Sequence, residues 1–158
     1  MIKISTPNLK RVLNQIEEYK KSLAEKDNEF LNTVADKGNE ILTMGLAEAV
    51  YDGDMYADVM QTQKEDNGVS IGIKGESVTF IEFGTGTFYP DDHPLMDEFG
   101  YERGTFGKGL GANPPWSFRN EGGKTVTTFG NPANRVVYET GKELREIAGD
   151  IAKEVYSK

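Results

Sequence analysis

Val69-Ser70-Ile71-Gly72-Ile73-Lys74-Gly75-Glu76-Ser77-Val78-Thr79-Phe80-Ile81-Glu82-Phe83-Gly84-Thr85-Gly86 is the stretch on which the architecture turns. In its first half Val69, Ile71 and Ile73 alternate with Ser70, Gly72 and Lys74. That period of two puts one apolar face on a strand over Val69–Lys74. Gly75-Glu76 reads as a turn. Beyond it Val78, Phe80 and Glu82 alternate with Thr79, Ile81 and Phe83. Both sets are largely apolar, so Ser77–Phe83 is expected to be the central, more buried strand of an antiparallel meander. Upstream, Tyr56–Lys64 supplies another strand, joined through the turn residues Asp66-Asn67-Gly68.

Working outward, both flanks change to a helical period. Leu9, Val12, Leu13, Ile16, Tyr19 and Leu23 recur at threes and fours, with charged residues opposite. They predict an amphipathic helix over 7–26, with Thr6 as cap and Pro7 at the first helical position. Asp27-Asn28 marks a break or a bend. A second helical pattern follows through Phe30, Leu31, Val34, Ala35, Ile41, Leu42, Leu46, Ala49 and Val50, and Asp52-Gly53-Asp54 ends it. Gly38 and Gly45 interrupt this run, and small residues there would let another backbone approach closely. Towards the end of the chain, Asn131 and Pro132 open a last helix over 132–156 with Val136, Val137, Leu144, Ile147, Ile151 and Val155 on its stripe. The expected class is α+β: two N-terminal helices, a small antiparallel β-meander, a long glycine-rich loop at 84–113, and a C-terminal helix packed on the sheet. A short strand at Thr125–Phe129 is expected to close that sheet.

The chain has 158 residues, enough for one domain with a substantial core. It has no cysteine, which removes disulfide scaffolds, Cys-ligated zinc and thiol chemistry. Its single histidine, His93, argues against a multi-histidine metal site or a histidine relay within one chain. No apolar run reaches the roughly 20 residues of a membrane span, and the first residues lack the apolar stretch of a signal peptide. A soluble protein made in a cytoplasm is expected, with no membrane partner. The net charge is −8, and residues 41–83 carry only Lys64 and Lys74 against eight acidic side chains. Acidic surfaces repel phosphate backbones, so no specific nucleic-acid partner is expected.

Residues 84–130 hold ten of the 18 glycines and four of the six prolines, with the only Trp and the only His. Long loops in compact domains usually carry function. Asp91-Asp92-His93 is the most site-like cluster, since carboxylates and imidazole ligate divalent ions. Three adjacent residues converge poorly on one ion, however, and Pro94 makes the segment read as an exposed turn. Glu82-Phe83-Gly84-Thr85-Gly86 is the most distinctive string. It lacks the helix start and the lysine that a phosphate loop needs. It reads instead as a structural turn of Glu82, Gly84, Thr85 and Gly86, with Glu82 buried and paired to Arg119, Arg135 or loop amides. Gly104 to Gly111 imitates a phosphate loop but has no Ser or Thr after Lys108. No Gly-x-Ser-x-Gly elbow is present. Phe88, Tyr89, Tyr101, Phe106 and Trp116 are the candidate partner contacts, against the alternative that they fold back onto the chain's own core. No catalytic constellation and no cofactor site is expected.

The order of these parts is similar to that of a known family. Ile81-Glu82-Phe83-Gly84-Thr85-Gly86, then a glycine-rich loop, Pro114-Pro115-Trp116, and Gly130-Asn131-Pro132-Ala133 opening a terminal helix resemble the minor tail component, or neck, proteins of long-tailed phages and prophages. The likeness runs from about residue 7 to residue 156. It differs at Asn134-Arg135-Val136-Val137, where that family places an aromatic. The resemblance implies a non-enzymatic virion protein of the neck or tail-completion type, acting in head–tail joining. It also implies a ring-forming homo-oligomer whose partners are head connector or adaptor proteins and tail proteins, located at the virion neck and synthesised in the bacterial host cytoplasm. The rival expectation is a small metal- or anion-dependent enzyme centred on Asp91, Asp92 and His93. A third is a host-encoded binding module borrowed from a prophage.

Overall fold

A computed structural model of the chain describes residues 6–51, 57–66, 68–89, 93–101, 115–120 and 122–157. The class is α+β. One helix dominates: α1 runs unbroken over Thr6–Glu48, 43 residues, or about 65 Å at 1.5 Å per residue. The expected break at Asp27-Asn28 is absent, so the two N-terminal helices are one. Asn28 is held in the helix by its own side chain, which donates to the Ala24 carbonyl at 2.9 Å. Such a back-bond satisfies the amide that would otherwise compete for the backbone.

The segment after α1 forms a single interrupted hairpin. Strands β1 (Asp58–Val59), β2 (Gln63–Glu65), β3 (Gly68–Ser70) and β4 (Ile73–Lys74) pair antiparallel as β1 with β4 and β2 with β3. The register shifts by one residue between Val59↔Ile73 and Gln63↔Ser70. The first arm therefore carries one extra residue, a bulge that bends the ribbon. Ser77–Phe83 is not a third strand. Val78–Phe83 is a short helix, α2, so the meander is reduced to this hairpin. Thr125–Phe129 does not close the same sheet either. Strand β6 (Thr125–Thr128) pairs with β5 (Trp116–Arg119) in a separate hairpin.

The last helix, α3, spans Val136–Tyr156. It starts four residues later than expected, because Asn131 is engaged in a bridge with Thr85 and Arg135 takes a left-handed conformation with φ 56°. Helix α3 lies antiparallel along the second half of α1. Val136 meets Gly45, Leu144 meets Gly38, and the Tyr156 ring packs on Phe30 with centroids 6.2 Å apart. The close approach expected at Gly38 and Gly45 is made by side chains: Ile71 and Leu144 fill the space a Cβ would take at Gly38, and Val136 does so at Gly45. Leu42 and Leu46 of α1, Ile73 of the hairpin, Ile81 of α2 and Val136 of α3 form the buried core. Residues 8–25 of α1 are exposed throughout and extend beyond α3 as an arm.

Candidate functional site

The chemistry-bearing residues gather where α2 meets the start of α3. Ile81 and Glu82 are the buried residues of α2. The Glu82 side chain, 6% exposed, reaches across to α3. Its Oε2 accepts from the Val137 amide at 2.8 Å, and its Oε1 accepts from the Tyr138 amide at 2.9 Å. These amides belong to the first turn of α3, where no carbonyl lies upstream to receive them. Arg135, the residue in the capping position, makes no side-chain capping bond. Glu82 supplies that cap from another helix, and its charge suits the positive end of the helix dipole.

His93 completes the joint. The sequence suggested an exposed turn, but His93 is 4% exposed, and its Nε2 lies 3.0 Å from Glu82 Oε1. The Leu95 amide donates to Nδ1 at 3.1 Å. Nδ1 is therefore the acceptor, and Nε2 carries the hydrogen and donates to Glu82. Phe83 and Tyr138 pack on the imidazole at centroid distances of 4.4 and 5.4 Å. The expected side-chain pairing with Arg119 or Arg135 is not among the bonds of the Glu82 carboxylate; Arg135 meets Glu82 through its backbone amide, which donates to the Glu82 carbonyl at 3.2 Å. A lone histidine beside a carboxylate eleven residues earlier gave no periodic signal, which is why the pairing was missed. Asp91 and Asp92 lie outside the described residues. Among the described residues no group of three or more His, Cys, Asp or Glu could hold a metal ion, and no helix is long and apolar enough to cross a membrane.

The Glu-Phe-Gly-Thr-Gly string and the Gly130–Ala133 string are locked together. The Thr85 amide donates to the Asn131 carbonyl at 2.8 Å, and the Asn131 amide returns a bond to the Thr85 carbonyl at 3.2 Å. Gly84 has φ +74°, and a Cβ there would lie 2.7 Å from both the Ala133 nitrogen and the Asn131 oxygen. At Gly130, with φ +95°, a Cβ would collide with the Thr85 carbonyl. Only glycine satisfies both the dihedral and the contact. Trp116 closes the clamp: its ring carbons lie over Gly86 and Gly130. Asn134, at the point where the resemblance departs, stitches three segments. Its backbone amide donates to Ile81 O at 2.9 Å, its Oδ1 accepts from the Val50 amide at 2.8 Å, and its Nδ2 lies 3.1 Å from Val50 O.

The aromatic residues divide. Tyr101 and Phe99 pack edge-on against Phe83, at 4.9 and 5.5 Å, so residues 93–101 fold back onto α2. Phe88 is 57% exposed and packs edge-on against Tyr89 at 5.2 Å and tilted against Phe129 at 5.1 Å. Phe106 lies outside the described residues. A separate cleft of about 430 Å³ opens between the ends of α1 and α3. Ile41, Met44 and Val136 line it beside Glu48, Glu139 and Glu143. Searches of protein-family models, of curated proteins and of solved structures find no match to this chain.

Proposed function

We propose that the protein is a non-enzymatic structural subunit of a long-tailed phage or prophage, acting in head–tail joining or tail completion as part of a ring. The observation that carries this reading is the clamp. The two strings on which the resemblance to neck proteins rests, Glu82 to Gly86 and Gly130 to Ala133, form one backbone-to-backbone joint under Trp116. Their polar groups are spent on holding α2, α3 and the loop base together, which is the work of a scaffold. Glu82 accepts three hydrogen bonds, and both ring nitrogens of His93 are engaged. For His93 to ligate a metal it would have to give up either its hydrogen bond to Glu82 or the one from the Leu95 amide, so the enzyme reading gains nothing from this geometry. The exposed Phe88, beside the half-buried Tyr89, supports a contact with a neighbour there.

Deleting the gene from a lysogen tests the proposal. Unjoined heads and tails are expected by electron microscopy, rescued by the wild-type chain, with the protein present in rescued particles. Joined, infectious particles that lack the protein would reject a structural role.

A further inference from the structure

The arm of α1 carries a long exposed apolar stripe. Leu9, Val12, Leu13, Ile16, Tyr19 and Leu23 are 39–68% exposed. This stripe continues the seam that α3 occupies further along. Leu9, Ile16, Leu23, Phe30, Gly38 and Gly45 follow one another at seven or eight residues, two turns of helix, and so lie along one line. Tyr156, Leu144 and Val136 of α3 cover that line at Phe30, Gly38 and Gly45. Tyr156 is the end of α3, and from there to residue 8 the seam lies open.

We propose that residues 10–25 pair antiparallel with the same residues of a second copy, each arm taking up the line of α3 beyond the other's Tyr156. Three observations favour this occupant. The first is length: the open stretch is the arm itself, so two antiparallel arms cover one another over residues 10–25, about 24 Å. The second is self-complementarity. With the pair centred between residues 17 and 18, Val12 faces Leu23 of the other copy and Ile16 faces its Tyr19. The third is charge. Parallel pairing would set Lys20 and Lys26 each against its own copy beside the seam. Antiparallel pairing sets Lys20 level with Gln15, Lys26 with Leu9 and Lys10 with Glu25, while Glu17 and Glu18 stay on the polar side. The contact is isologous and closes on a two-fold axis, so it belongs to the free subunit and has to open before a cyclic ring forms. It goes beyond the head–tail reading and does not rest on it.

The absence of cysteine makes the test direct. Gln15 and Ser22 share a flank of the arm and come within one turn of each other across an antiparallel seam. Gln15→Cys and Ser22→Cys, prepared separately, mixed and oxidised, should give a mixed disulfide dimer well in excess of either homodimer. Ile16→Glu with Leu23→Glu should weaken self-association by at least about a hundredfold in sedimentation, with the melting of the body unchanged. Three results would overturn the proposal. Homodimers forming from each single variant alone would make the pairing parallel. A cross-link from Gln15→Cys to Met44→Cys would seat the arm in the acid-rimmed cleft. A wild-type chain that stays monomeric at about 100 μM, where even a weak specific dimer with a Kd of tens of micromolar would register, would leave the arm to a different partner. No phage particle enters these measurements, so their failure leaves the head–tail reading to its own test.

Discussion

Glu82 joins three segments through one carboxylate, which serves two helices and a loop. Glu82→Ala leaves two α3 amides and the His93 ring without their acceptor. Each buried donor left unsatisfied costs about 1–3 kcal/mol, and three lose their acceptor here, so a large fall in melting temperature is expected by calorimetry. Glu82→Gln keeps the shape but loses the charge-assisted bonds, and about 1.5–3 kcal/mol should go. If both variants melt like the parent, the cap is not what positions α3. The sequence reads His93 as part of an exposed turn, where substitution would cost little. Its burial reverses that expectation: His93→Ala empties a site walled by Phe83 and Tyr138 and orphans the Leu95 amide, at about 2–3 kcal/mol. Urea titration with an unchanged midpoint would contradict it. That Glu82 is buried and structural was legible from an acid placed within an apolar run. Its partners were not, since burial of His93 depends on a tertiary contact between the loop and α2.

Helix α1 behaves as two elements joined end to end. Residues 30–48 are braced by α3 and the hairpin, whereas the arm has only its own hydrogen bonds, and an unsupported helix of that length is marginal in water. In dilute monomer the amides of residues 8–25 should exchange with deuterium far faster than those of 35–46. Equal protection in both halves would show that the arm is held by something else. At the junction, the Tyr156 hydroxyl donates to Asp27, and that hydrogen bond raises the tyrosine above the ordinary phenol range. The folded state thus holds this proton more tightly than the unfolded chain does. Its contribution is complete below about pH 10, the value of a free phenol, and fades as pH rises through the higher folded value. Tyr156→Phe should flatten the alkaline loss of stability in thermal melts at pH 9 and 11. A slope identical to the parent's would remove Tyr156 as its source. The apolar stripes of both long helices were readable from their period, and so was the α+β class. Ser77–Phe83 misled because two turns are too short to display a 3.6-residue period, and its β-branched and aromatic residues are apolar on every face. Asn131 and Pro132 misled because a good capping sequence was recruited into the bridge to Thr85 instead.

At the scale of the whole molecule, two anchors bracket the region whose sequence is richest in glycine. One is Tyr101 against Phe83, and the other is Trp116 over Gly86 and Gly130. Replacing residues 91–111 wholesale would remove His93 and Tyr101 and so attack the core. Exchanging only 102–114 for a Gly/Ser linker of equal length should shift stability by less than about 1 kcal/mol. Particle joining should then report on Phe106 and its neighbours alone. A body that unfolds on this exchange would show that the interval belongs to the core. The same bracketing has an evolutionary and a practical side. If that exchange leaves the body folded, lengthening the interval is thermodynamically cheap as well, since each doubling of a loop's length costs only about 0.6 kcal/mol. Descendants of this chain would then be free to expand or trade that interval while the clamp at Thr85 and Asn131 keeps the scaffold the same. A fluorescent reporter grafted there would travel with the subunit into whatever assembly it builds.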